Sequence, residues 1–204
     1  MAEAADTTTV LLVRHGHTAA VGRRLTGRLP GVHLSDSGRD QARRLVARLE
    51  PYELAAIYAG PLERAVQTAE PLAAAHGLPI RTCAGFDEID FGEWTGLTFE
   101  ALDRLPGWRR FNTTRETAGV PGGECAPAAQ ARAVKAVEAI AARHRGVAVA
   151  AFSHADVIRS VLLYYTGRPL GRIEEVAFPP ASIAALRVSP AGGSLLYISQ
   201  PDMG

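Results

Sequence analysis

Residues 10–18 read V-L-L-V-R-H-G-H-T, so an apolar run stops on a guanidinium, two imidazoles and a hydroxyl: Arg14, His15, His17 and Thr18. The pattern recurs twice. The run from Leu54 to Tyr58 turns through Gly60-Pro61 into L-E-R-A-V-Q-T-A, which carries Arg64, and V-A-V-A-A-F (147–152) runs into Ser153-His154-Ala155-Asp156. Two guanidiniums can hold a tetrahedral dianion through charge-assisted bidentate bonds, and backbone N–H groups at a helix N-terminus, here near Ala155, serve the same anion. A neutral imidazole in such a pocket can attack phosphorus and carry the phosphoryl group covalently. A second imidazole, if protonated, would stabilise charge on the equatorial oxygens. The leaving alcohol needs an acid, and F-D-E-I-D-F-G-E-W-T-G (86–96) offers Asp87, Glu88, Asp90 and Glu93. A carboxyl partly buried among aromatics beside a phosphate has a raised pKa and can donate near neutral pH. Residue types alone do not choose among the four.

These groups meet only if the elements carrying them end at one place. Thr8 to Val13 reads as a strand, and Ser35 to Glu50 as a helix capped at Ser35 or Asp36, with Ala42, Leu45, Val46 and Leu49 at helical spacing. Leu54 to Tyr58 and Pro79 to Cys83 read as strands flanking a helix over Pro61 to His76 that contains Pro71. A long helix over Ala126 to Arg145, a strand over Val147 to Phe152 and a helix over Ala155 to Tyr165 follow. Val176 to Phe178, Ser182 to Val188 and Leu195 to Ser199 read as further strands, the last two joined by P-A-G-G. Alternation of this kind predicts an α/β fold: a mainly parallel sheet with helices on both faces and the site beyond the carboxyl ends of its strands. Residues 84–123 hold both tryptophans and little periodicity, with one short helix expected near Thr98 to Leu105, and read as a lid-like excursion within a single domain spanning 1–204. His76 and His144, near helix C-termini, read as structural.

Composition narrows the partners. The chain has 204 residues, 22 basic and 21 acidic, for a net charge of +1, so no global field calls for nucleic acid or an anionic membrane surface. Lys135 is the single lysine, and arginine suits bidentate phosphate contacts. Cys83 and Cys125 match no disulfide framework or metal spacing, and no apolar run reaches the ~18 residues of a membrane span. The acidic start M-A-E-A-A-D lacks the basic and apolar regions of a signal peptide, so a cytoplasmic protein is expected.

L-V-R-H-G-H-T, L-E-R-A-V-Q-T-A, D-E-I-D-F-G-E-W-T-G, P-G-G-E and S-H-A-D-V-I-R, in that order, closely resemble the histidine phosphatase superfamily, phosphoglycerate mutase-like branch. The resemblance implies a three-layer α/β/α sandwich in which His15 is the phosphorylated nucleophile, Arg14, Arg64 and His154 bind phosphate, and Glu88 is the proton donor. Thr18, Gly27 and Ala155 join the residues expected to bind substrate. It further implies metal-independent hydrolysis of small phosphomonoesters, with inorganic phosphate as product and no cofactor; oligomerisation is left open. Departures stand out: His17 replaces the glutamate of R-H-G-E-T, Val21 an asparagine, Cys125 a serine and Asp156 a glycine. The main alternative is a phosphomutase that hands the phosphoryl group to a second acceptor. A metal-dependent hydrolase using His15, His17, His154 and Asp156 is another, and a non-catalytic phospholigand-binding module a third.

Overall fold

The structure, a computed structural model, describes residues 6–201; Met1–Ala5, which open the acidic start, and Asp202–Gly204 lie outside the described residues. Strand β1 (Thr8–Arg14) leads through a long loop to helix α1 (Asp36–Leu49), and β2 (Leu54–Ala59) is followed by α2 (Glu63–His76) and the short β3 (Ile80–Thr82). The excursion holds two short helices, α3 (Phe99–Leu102) and α4 (Pro106–Thr113). Then come α5 (Ala126–Arg143), β4 (Ala148–Ser153), α6 (Ala155–Tyr165) and the hairpin of β5 (Ile183–Ser189) and β6 (Gly192–Ser199). The six strands form one sheet in the order β3-β2-β4-β1-β5-β6. The first four neighbours run parallel; β5 is antiparallel to β1, and β6 to β5.

Strand alternation produces the layers. Val10 and Leu12 of β1, with Val149 and Ala151 of β4, join the core under α5, α6 and the excursion. Leu11 and Val13, with Ala150 and Phe152, join the opposite core under α1 and α2. Side chains one residue apart point to opposite faces, so runs that are apolar at every position must be covered on both. The fold is the expected three-layer α/β/α sandwich.

Two sequence expectations fail locally. Val176 to Phe178 is not a strand. It follows a 3-10 turn over Leu170–Glu175, and Val176 and Phe178 are buried as an irregular link. The apolar pattern there encodes burial, while Pro179-Pro180 removes the donors that would extend a ladder. After two 3-10 turns over Ala84–Phe86 and Gly92–Trp94, the excursion contains two α-helices rather than one. The second opens on Pro106 at its N-terminus and buries Trp108 and Phe111, a two-point pattern too sparse to read as periodicity.

Parallel register is what gathers the site. Arg14 of β1 lies opposite Ser153 of β4, and Ala59 of β2 opposite Phe152, so three chains leave the sheet together. A close backbone contact then seats the loop after β1 on α1. A Cβ on Gly38 would stand 2.0 Å from the His17 carbonyl oxygen, and one on Gly16 would stand 2.6 Å from that of Gly38. Glycine is required at both for space. Ser35 caps α1 by accepting from the Gly38 N–H at 3.1 Å.

Candidate active site

His15 and His154 emerge side by side beyond β1 and β4, their ring centroids 5.3 Å apart. The His15 Nδ1–H donates to the Gly16 carbonyl at 2.7 Å, which leaves Nε2 as the bare ring nitrogen. The His15 backbone N–H donates to Ser153 O at 2.9 Å, tying the loop to β4. Arg64, in the first turn of α2, is 1% exposed. Its Nη2 donates to Gly27 O at 2.8 Å, while Nε and Nη1 have no partner among the described residues. Arg14 donates through Nη1 to Phe178 O at 2.7 Å and keeps Nε unpartnered, as are both ring nitrogens of His154. Buried polar groups are nearly always hydrogen-bonded, so orphaned donors on Arg14, Arg64 and His154 around one imidazole mark a receptor for an anion. Arg14, His15, Thr18, Gly27, Glu88 and Ala155 all line one cleft of about 540 Å³.

Among the four candidate carboxylates the structure brings Glu88 to the cleft. Its Oε2 lies 3.8 Å from His154 Nδ1, and its Oε1 accepts from the Ile89 N–H at 2.9 Å. Asp87 accepts from the Glu88 N–H and pairs with Arg28, Asp90 accepts from the Gly92 N–H, and Glu93 is exposed. The Glu88 backbone is clamped from behind. Arg132 of α5 donates to the carbonyls of Gly85, Asp87 and Glu88 at 2.9, 2.8 and 3.0 Å, and Arg28 donates to Glu88 O at 2.8 Å. Glu124, the acid of P-G-G-E, accepts from both guanidiniums.

Burial and charge set the protonation states. Burial first, then Asp156, pushes the Glu88 carboxyl up to about 7 against the opposing pull of Arg64 and Arg14. His15 is held well below the ordinary imidazole value by burial, then by Arg64 and Arg14, so its ring is neutral near pH 7. Burial, Arg64 and His15 do the same to His154. The sequence-based picture of a protonated second imidazole therefore does not describe the free pocket: two guanidiniums already supply the positive charge. Burial, then Arg159, lowers Arg14 to about 10, which leaves it cationic at neutral pH.

A family model for the histidine phosphatase superfamily (branch 1) matches residues 10–200. The chain belongs to that superfamily. Phosphoglycerate mutase-like protein 4 of Arabidopsis thaliana is 32% identical over 176 residues, covering 83% of this chain and 75% of its own. The metal-independent phosphoserine phosphatase of the same plant is 30% identical over 168 residues, covering 79% and 70%. The solved structure of Bacillus stearothermophilus YhfR superposes with a TM-score of 0.86 at 30% identity, covering 93% of this chain and 95% of that one. This histidine phosphatase is accordingly an enzyme of the phosphoric monoester hydrolase class.

Within this histidine phosphatase, His17 is neither at the rim of the cleft nor a free surface group. Its Nδ1 meets Ser35 Oγ at 2.8 Å and its N–H donates to Gln41 Oε1 at 2.8 Å, so it braces the start of α1. A metal centre built on His15, His17, His154 and Asp156 is not formed, because His17 faces α1 and Asp156 is engaged by Arg115. His144 caps α5 and meets Tyr58 Oη at 2.9 Å, a structural role as expected. Sequence reasoning missed Arg159, Arg115, Asn112 and Glu174, which also line the cleft. Arg159 carried a signal: it stands one helical turn beyond Ala155 in S-H-A-D-V-I-R and so shares its face. Arg115 and Glu174 belong to segments without a motif, and nothing local marks them.

Proposed function

We propose that the protein hydrolyses small phosphomonoesters without a metal, through a phosphohistidine intermediate on His15. The observation that carries this reading is a neutral imidazole with one free nitrogen, beside buried donors of Arg14, Arg64 and His154 that have no hydrogen-bond partner among the described residues. Substrate phosphate docks among those donors and the amide near Ala155, at the N-terminus of α6. Thr18 and Gly27 close the near side of the cleft. His15 Nε2 attacks phosphorus in line, the ester P–O bond breaks, and the Glu88 carboxyl gives its proton to the departing alcohol oxygen. Glu88, now a carboxylate, takes a proton from water as the water oxygen attacks phosphorus. The P–N bond breaks, and phosphate leaves with His15 neutral and Glu88 protonated again. A group held at about 7 is suited to both halves of this cycle. The excursion 84–123 serves as the lid, a reading supported by Phe91, Phe99 and Trp108 lining the cleft. Relatives named as phosphatases support the small-phosphomonoester class. Among the described residues no helix is long and apolar enough to cross a membrane.

The test is hydrolysis of para-nitrophenyl phosphate in excess EDTA by wild type and His15→Ala, with acid-labile phosphoenzyme trapped in parallel. Chelator-resistant turnover that falls by roughly 10⁴-fold or more in His15→Ala, together with loss of the trapped phosphoenzyme, is the expected result. Turnover that survives in the variant sinks the proposal. Phosphoenzyme that forms in the wild type without releasing phosphate assigns a mutase.

A further inference from the structure

Beyond the phosphate-binding groups the cleft changes character. The same cleft is also lined by Arg24, Arg115 and Arg159 and by Asp103, Asp156 and Glu174, three charges of each sign. Four of them are locked together. Arg115, 2% exposed, donates from Nη1 to Asp156 Oδ2 at 2.7 Å and from Nη2 to Glu174 Oε1 at 3.0 Å. Asn112 Oδ1 accepts a further bond from Arg115 Nη2 at 2.9 Å, and the guanidinium stacks 4.6 Å from the Phe111 ring centre. Arg159 Nη1 stands 3.4 Å from Asp156 Oδ1 and 3.6 Å from Glu174 Oε2. Arg24 and Asp103 add one exposed charge of each sign.

Asp156 is the centre of this arrangement. It occupies the first turn of α6, whose first residue, Ala155, lines the same cleft. Without its carboxylate, Arg115 and Arg159 would face the leaving group with only the largely exposed Glu174 between them. With it, the two guanidiniums are neutralised before any substrate arrives. An added anion then gains no net Coulomb attraction and meets two carboxylates, whereas hydroxyls can bond to donors and acceptors of either sign. Phe99 and Trp108 supply an apolar wall for the carbon skeleton.

We propose that Asp156 is a specificity determinant: by ion-pairing Arg115 and Arg159 together with Glu174 it discharges the leaving-group side of the cleft, which therefore takes phosphate esters of hydroxylated alcohols without net charge and discriminates against those carrying a second anion. This rests on the phosphatase reading of the same site. Glycerol 3-phosphate and 3-phosphoglycerate form the matched probe, because they share a three-carbon frame and a primary phosphate ester and differ in a hydroxymethyl against a carboxylate.

Wild-type kcat/KM, or the inhibition constant against para-nitrophenyl phosphate where turnover is too slow to read, is expected to favour glycerol 3-phosphate by about tenfold or more. In Asp156→Asn that ratio is expected to fall by about tenfold. Any change that the lost charge makes to Glu88 acts on both esters alike and cancels in the ratio. Glu174→Gln, at a side chain 62% exposed, is expected to give a smaller fall in the same direction and carries the test should Asp156→Asn not fold. A wild type that treats the two esters equally or prefers the carboxylate overturns the proposal, as does a ratio that neither variant moves. Failure of the wild type on para-nitrophenyl phosphate itself would instead overturn the phosphatase reading.

Discussion

Arg64 and Arg115 are almost equally buried, at 1% and 2% exposure, the first bonded behind the cleft to Gly27 of its wall and the second lining the cleft itself. Arg115 meets Asp156, Glu174 and Asn112, leaving Nε without a partner. Arg64 has one carbonyl, Gly27 O, and keeps Nε and Nη1 free of any described partner. Burial holds the Arg64 guanidinium below its ordinary value. A buried charge is tolerated when it is paired and strains the fold when it is not. The difference teaches where the protein has left bonding capacity for a ligand and where it has used most of that capacity internally. Around His15 the buried donors are an unsatisfied receptor, while around Asp156 both Nη groups of Arg115 are bonded and only Nε, there and on Arg159, lacks a partner among the described residues.

Glu88 feels both groups, raised by burial and Asp156 and lowered by Arg64 and Arg14. Replacing it with glutamine is the largest way to break the comparison. Loss of about 10²-fold or more in kcat/KM is expected for esters of ordinary alcohols, with little loss for nitrophenolate, which departs without a proton. The pH dependence has a definite sign. The first step needs Glu88 protonated and His15 neutral, so kcat/KM for an alkyl phosphate falls as pH rises through about 7, while the limb set by His15 lies well below 6.5. The alkaline limb should vanish in Glu88→Gln. Equal slowing of good and poor leaving groups, with the limb retained, would reassign the acid.

Arg115→Met probes the bonded guanidinium. It removes the centre of the ion-pair cluster and leaves Asp156, 19% exposed, beside a single looser guanidinium. Breaking a buried pair on one side is strongly destabilising, and allowing for the exposure of Asp156 and Glu174 the loss should be roughly 2–3 kcal/mol. Thermal unfolding should shift down by about 5–10 °C for a chain of this length. An unchanged midpoint would mean that the cluster is no more than a surface ion pair.

Much of this was legible before any coordinates, and unevenly so. Strands that end on Arg14-His15, Gly60-Pro61 and Ser153-His154 announce a site because a parallel sheet delivers its carboxyl ends to one side. The five ordered motifs then indicated the family, which the match over residues 10–200 bears out. The three layers were legible from alternation and from apolar runs buried on both faces. The choice of Glu88 among four carboxylates came only through the resemblance and not from residue types, since physically it depends on how Arg132 and Arg28 hold the backbone carbonyls of Gly85, Asp87 and Glu88. Not legible at all was the Arg115–Asp156–Glu174 cluster, whose members are separated by 41 and 59 positions along the chain and joined only by tertiary packing. Local pattern reports which backbone ends meet; it carries little about which long side chains reach across the gap.

Arg64→Met gives the smallest effect and the sharpest contrast, because its sign should be opposite to that of Arg115→Met. In phosphate-free buffer the variant loses one bond to Gly27 O, worth about 1 kcal/mol, and is relieved of a buried, incompletely paired cation, whose desolvation penalty is several kcal/mol even after relaxation. Methionine fills most of the same space with a flexible apolar chain. The net expectation is a gain of about 1 kcal/mol, or roughly 2–4 °C in the unfolding midpoint. Inorganic phosphate should reverse the order: at a hundredfold excess over its dissociation constant it would add about 2.7 kcal/mol to the wild type, and little to a variant lacking the buried fork. A variant less stable than wild type in phosphate-free buffer would show that Arg64 serves the fold as Arg115 does, and the two guanidiniums would no longer differ in kind. Stabilisation without phosphate and loss of the phosphate response together would show that the unsatisfied guanidinium is kept for the ligand at the expense of the empty fold.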